Sequence, residues 1–179
     1  YARAEAANPM RAPKALHEMR RAASSSPEPG FPAVVFDTYL RFFQQVVAFR
    51  RGHPVLRSRT HLSHTDYVGS GFPDMSWHGT EAWKPDWSES SRALAFMLCG
   101  EHAKNGTQRD NHVYVAMNTY WDSLWFHPPQ LPPGMNWHIA INTAMPSPED
   151  IWEIGHEPQL GDQTSIMLGS RSTVVLVGR

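Results

Sequence analysis

The chain reads as a mainly β protein: an antiparallel β-sandwich preceded by one α-helix. Two observations carry that reading. From Met75 onward, seven short aliphatic or aromatic segments follow one another, divided by Gly, Pro, Asn and Asp, with no helical stretch between them. Before them, only 37–51 shows a strong recurrence of apolar residues at three- and four-residue spacing. Composition agrees, since 15 Pro, 12 Gly and 7 Trp among 179 residues suit many short strands joined by loops.

Residues 1–34 divide in two. Met10–Ala23 (MRAPKALHEMRRAA) is basic and suits a short helix, with Pro13 confining its start. Ser24–Pro32 (SSSPEPGFP) reads as a linker. The chain opens at Tyr1 without an initiator Met or a signal pattern, and reads as a piece of a longer protein.

The helix at 37–51 takes Asp37 as its N-cap and Phe36 as a staple residue. Tyr39, Phe42, Phe43, Val46, Val47 and Phe49 form its stripe, Arg50 and Arg51 suit its negative end, and Gly52 and Pro54 stop it. A stripe this wide predicts packing against something large. The expected strands are 75–78, 92–98, 112–118, 123–127, 136–141, 164–168 and 173–178. In the third, Val113, Val115 and Met117 share one face, and Tyr114, Ala116 and Asn118 the other.

Charge and length exclude several classes. A net charge of −1 provides no basic field for nucleic acid or an anionic membrane. No apolar run approaches the roughly 18 residues of a membrane span. Cys99 is the one cysteine, so no disulfide forms within the chain, which fits a reducing compartment. It follows the apolar run Leu94–Leu98 and reads as a small packed hydrophobe. Asn105-Gly106-Thr107 matches a glycosylation acceptor but reads better as a loop tip.

A search for site chemistry finds little. No Gly-x-Ser-x-Gly elbow occurs. His61 and His64 with Asp66 make the best local metal cluster, but this is only a two-His pair with a nearby acid, on a loop and without supporting Cys, so a polar loop is the default and no metal or cofactor is expected. The tryptophans are more informative. Trp77, Trp83 and Trp87 fall close together, and Tyr120, Trp121, Trp125 and Trp137 follow. Flat rings stack on the apolar faces of sugars but also fill cores and interfaces. Trp83, between Glu81 and Lys84, is the one singled out as exposed; Trp83, Trp121 and Trp125 are the candidates for stacking on a sugar. Asp86 and Arg92 are expected to brace a loop with Trp87 packed beneath it, and Trp77 is assigned a structural role.

A family resemblance runs through collinear blocks. Phe49-Arg-Arg-Gly-His-Pro-Val-Leu-Arg57 resembles the end of the last barrel helix in isoamylases and bacterial glycogen debranching enzymes of the α-amylase superfamily. The likeness continues through Trp77-His78-Gly79, Pro85-Asp86-Trp87-Ser88 and Ser91-Arg92-Ala93-Leu94-Ala95-Phe96. It resumes at Tyr114-Val115-Ala116-Met117-Asn118 with Tyr120-Trp121, and ends with Asn142–Ile151 and Arg171–Val177.

The resemblance implies an enzyme with an N-terminal β domain, a central (β/α)8 barrel and a C-terminal Greek-key β-sandwich, hydrolysing α-1,6 branch points in glycogen or starch precursors. It divides the chain into a poorly matched 1–34, a last barrel helix at 35–54, and a sandwich at 55–179. Residues 1–34 show neither the end of a barrel nor its Asn-rich loop. Such enzymes place a nucleophile and a general acid on barrel loops. No acidic residue here falls in those motifs, so no catalytic residue is assigned and the fragment alone is expected to be inactive. The implied partners are the catalytic barrel and, through it, branched α-glucan, with homo- or hetero-oligomers open. The location is a plastid in an alga or plant, or else a bacterial cytoplasm. A non-catalytic carbohydrate-binding or interaction module of a debranching complex is the alternative.

Overall fold

The computed structural model describes residues 33–179, with side chains from Asp37 onward. The expected basic helix at 10–23 and linker at 24–32 lie outside the described residues. The chain divides into two compact units at Arg41/Phe42. The described part of the first is helical; the second, Phe42–Arg179, holds all the strands.

Helix α1 covers Ala33–Gly52. It begins four residues before Asp37, which therefore is not its N-cap. The helical backbone already runs through Ala33-Val-Val-Phe36, so Asp37 sits inside the helix, where its capping chemistry has no end to serve. At its other end Arg50 and Arg51 occupy the last turn. Gly52 allows Ile154 to approach so closely that a β-carbon would collide with it.

Seven antiparallel strands follow: β1 (Met75–His78), β2 (Ala93–Leu98), β3 (His112–Asn118), β4 (Leu124–Phe126), β5 (Trp137–Asn142), β6 (Ile166–Leu168) and β7 (Ser172–Gly178). Five form one sheet in the order β1-β2-β3-β7-β5, and β4 pairs with β6 in a second. Strand β7 enters between β3 and β5, so the chain crosses over, as a sandwich requires.

Alternation along the strands sorts side chains onto two faces. Ala95, Met97, Tyr114, Ala116, Val174 and Leu176 pack with Phe126, Ile166 and Leu168 of the small sheet. Trp137 joins this core, and its indole N–H donates to the Pro129 carbonyl at 3.0 Å. Leu98, Val113, Val175, Val177 and Ile141 lie on the opposite, outer face. There the second half of α1 covers part of them: Phe49 is buried in this cluster, with Phe42 and Val46 half-buried against it. The helix thus finds its large neighbour within the chain itself, although Phe43 stays 66% exposed.

Candidate functional site

The end of α1 is locked to the sandwich by a pair that sequence reasoning did not find. His53 Nδ1 donates to Asp110 Oδ1 at 3.0 Å, and the Val55 N–H donates to Oδ2 at 2.9 Å. Both side chains are almost fully buried. Burial would raise the Asp110 carboxyl, but the hydrogen bonds from His53, Val55 and Asn111 outweigh it and hold the group below the ordinary carboxylate range. The partners are 57 residues apart, and nothing local to either announces the other.

Carboxylates elsewhere are likewise held by loop groups. Asp66 accepts from the N–H groups of Val68, Gly69, Ser70 and Gly71, and lies 3.3 Å from His102 Nε2. Burial opposes, and the amides of Gly71, Ser70 and Val68 prevail, bringing its pKa down to about 2. The histidine beside Asp66 is therefore His102, while the His64 N–H donates to Asp74. Among the described residues no group of three side chains is placed to hold a metal ion. Asp74 gathers the N–H groups of Ser63, His64 and Met75, and its carboxyl also sits below its usual range although burial pulls the other way. Asp162, bound by the hydroxyls of Ser165 and Thr164 and the Thr164 N–H, falls to about 2. A glycosidase acid needs the opposite, a carboxyl raised by burial or by a like charge.

The Trp77-His78-Gly79 block turns out to be the base of a rigid turn. Gly79 lies against the Lys84 carbonyl so closely that any β-carbon would collide with it. The N–H groups of Gly79 and Lys84 both donate to the Glu81 carbonyl. His78 is fully buried; its Nδ1 accepts the Trp83 N–H at 2.7 Å, so Nε2 carries the proton and donates to Ser76 Oγ at 2.8 Å. Burial lowers the His78 pKa to about 4, leaving the ring neutral at neutral pH. Trp83 adopts φ 65°, a left-handed conformation rare for a bulky residue. Its ring stacks on Phe72 at 6.1 Å and meets His78 edge-on at 4.8 Å.

The other tryptophans fall in different settings. Trp83 is exposed, at 49%, and so are Trp87 at 64%, Trp121 at 66% and Trp125 at 57%. Trp87 is not packed beneath its loop: it meets Trp77 edge-on at 5.5 Å and leaves most of its surface open. The loop holds itself by short-range bonds instead, which removes the need for an aromatic beneath it. Asp86 accepts the Ser88 N–H at 2.9 Å, and Arg92 donates to the carbonyls of Glu89 and Ser91. Trp121 pairs with Tyr120 at 4.2 Å, and Trp125 points outward from β4 opposite Met167 of β6.

Trp77, Leu94, Phe96, Val115 and Met117 make a half-buried apolar band on the outer face of β1, β2 and β3. Trp87, Arg92, Leu94, Met117 and Thr119 line an open depression along it.

Residues 76–172, more than half of the chain, match the family model of the isoamylase 1–3 C-terminal domain. The chain belongs to this isoamylase family. Similarity to individual isoamylases follows the same region. Isoamylase 1, chloroplastic, of Arabidopsis thaliana is 36% identical over 76 residues, which are 42% of this chain and 9% of that protein. An isoamylase of Pseudomonas amyloderamosa is 29% identical over 110 residues, 59% of this chain and 13% of the relative. An isoamylase of Flavobacterium sp. reaches 23% over 150 residues, 77% and 18% respectively. The matched regions thus span less than a fifth of these relatives. The β1 block, the loop around Asp86 and the band on the outer face all lie within the isoamylase C-terminal match.

Proposed function

We propose that this chain is the C-terminal structural domain of an isoamylase-type debranching enzyme that hydrolyses α-1,6-glucosidic branch points in glycogen or starch precursors. In this reading α1 is the last helix of a catalytic barrel, roughly 35–54, and 55–179 is the sandwich that closes its flank. The observation that carries it is the half-buried band from Trp77 to Met117, inside the region matched to the isoamylase C-terminal family. Contiguous apolar surface of this kind marks a contact site, and an upstream barrel is the neighbour that the family supplies. The nucleophile and general acid belong to that barrel. Among the described residues, Asp66, Asp74, Asp86, Asp110 and Asp162 all have carboxyls held below their usual range by the groups around them.

The chloroplastic names of the plant relatives favour a plastid and starch precursors; the bacterial relatives keep a bacterial cytoplasm and glycogen as the alternative. The exposed Trp83, Trp121 and Trp125 favour a second role, direct contact with glucan by this domain.

The test is release of reducing ends from amylopectin. The full-length protein that carries this chain should release them, and the purified 179-residue chain should give no more than a buffer blank. Hydrolysis by the chain alone, or inactivity of a folded full-length protein, contradicts the proposal.

A further inference from the structure

We propose that Trp83 is the stacking platform of an α-glucan-binding subsite on this domain, built by His78, Phe72 and the turn from Gly79 to Lys84. This rests on the reading that the parent enzyme acts on α-glucan. Four features single out Trp83 among the exposed tryptophans.

The first is conformation. A tryptophan at φ 65° costs conformational energy that an ordinary surface loop does not require. The second is restraint: Phe72 is stacked on the ring, His78 touches its edge, and the Trp83 N–H is held by His78 Nδ1. The ring is therefore fixed in advance, and a ligand meeting it orders little that is not already ordered. Third, half of the residue remains exposed despite these contacts, so a flat apolar surface is presented to solvent.

The fourth is the polar surround, which selects the ligand class. The turn carries one acid and one base, Glu81 and Lys84, whose main chains are bridged to each other. Glu81 Oε1 lies 3.1 Å from His127 Nδ1, and the His127 N–H donates to the Thr80 carbonyl at 2.7 Å. These ties join the turn to the end of β4, two residues beyond the outward-facing Trp125. A flat ring edged by donors and acceptors of no net sign suits an uncharged polyol with an apolar face, which describes a glucose unit. It does not suit an anionic or a cationic ligand. The turn is also turned away from the proposed barrel contact. Ser76 and His78 face the inter-sheet core, whereas Trp77 faces the outer side where the second half of α1 packs.

The probe is maltoheptaose, a linear α-1,4 glucan, with tryptophan oxidation by N-bromosuccinimide on the wild-type chain, mapped by peptide mass spectrometry. Saturating maltoheptaose should slow oxidation of Trp83 severalfold and leave Trp87 unchanged. An unchanged rate at Trp83, or protection only at Trp121 or Trp125, overturns the assignment. In amylopectin affinity gels, Trp83→Ala should weaken retardation about tenfold, while Trp83→Tyr, which keeps a flat ring, should retain most of it. Wild-type retardation of Trp83→Ala also overturns it. The oxidation assay needs no variant, so a misfolded Trp83→Ala leaves the test intact. If the full-length protein hydrolyses branch points yet Trp83 is not protected, the subsite falls and the enzyme reading stands. If the full-length protein is inactive on amylopectin, the enzyme reading falls, whatever Trp83 does.

Discussion

His78 is buried as a neutral imidazole, and protonating it in place is unfavourable because burial removes the water that would solvate the cation. Its pKa falls from 6.5 to about 4 on folding. Below pH 6.5 the unfolded chain binds a proton that the folded chain refuses. Stability from His78 is thus complete above about 6.5 and is lost as pH falls toward about 4, up to about 3 kcal/mol in all. Asp66 and Asp162 lose theirs lower, between the ordinary carboxylate range and about 2. Urea denaturation at pH 7.5, 5.5 and 4 should show the decline. His78→Asn, whose side-chain oxygen can still accept the Trp83 N–H, should flatten it; an unchanged slope assigns the decline to other groups. Tryptophans separate at the same scale. Trp137→Ala truncates a fully buried ring and should cost about 3–5 kcal/mol, whereas Trp87→Ala, at 64% exposure, should cost under about 1. Equal losses in denaturant would contradict this placement of the two rings.

Among the elements, the second half of α1 meets the sandwich through Phe42, Val46 and Phe49, and the buried His53–Asp110 pair anchors the segment just after it. Asp110→Ala leaves His53 and the Val55 N–H without their acceptor and should cost about 1–3 kcal/mol. Amide hydrogen exchange should then quicken from Phe49 to Leu56 first; uniform quickening across β3 and β7 would mean that the clamp is not local. Deleting residues 1–51 removes Phe42, Val46 and Phe49 from the outer cluster, so the shortened chain should melt lower and aggregate more readily than the parent. The strands were legible because alternation and turn residues are local signals, and all seven lie within two residues of their expected bounds. The start of α1 was less legible, since Asp37 has the chemistry of a cap whether or not the helix begins there. The His53–Asp110 pair and the His78–Trp83 turn were not legible. Each depends on register and burial that tertiary packing creates, and a neutral buried histidine looks in sequence like any other. Trp87 was misread for the same reason: a large aromatic in a loop carries no mark of which way it faces.

At the scale of the molecule, the five-stranded sheet has two faces with different fates. One is closed by β4, β6 and the loops around Trp137. The other is covered by Phe42, Val46 and Phe49 over part of its area and leaves the band from Trp77 to Met117 half-buried. The chain belongs to the isoamylase C-terminal family, with matches spanning less than a fifth of the relatives, and the proposed cover for that band is a catalytic barrel of the parent enzyme. The proposed division of labour follows: the barrel holds the chemistry, this domain closes its flank, and Trp83 on the other side of the sheet meets glucan. Hydroxyl-radical footprinting tests the central claim most directly, by comparing this chain with the full-length protein that contains it. Trp77, Phe96 and Met117 should be labelled in the chain alone and protected in the full-length protein, with Trp83 labelled in both. Equal labelling of Trp77, Phe96 and Met117 in the two would contradict the account.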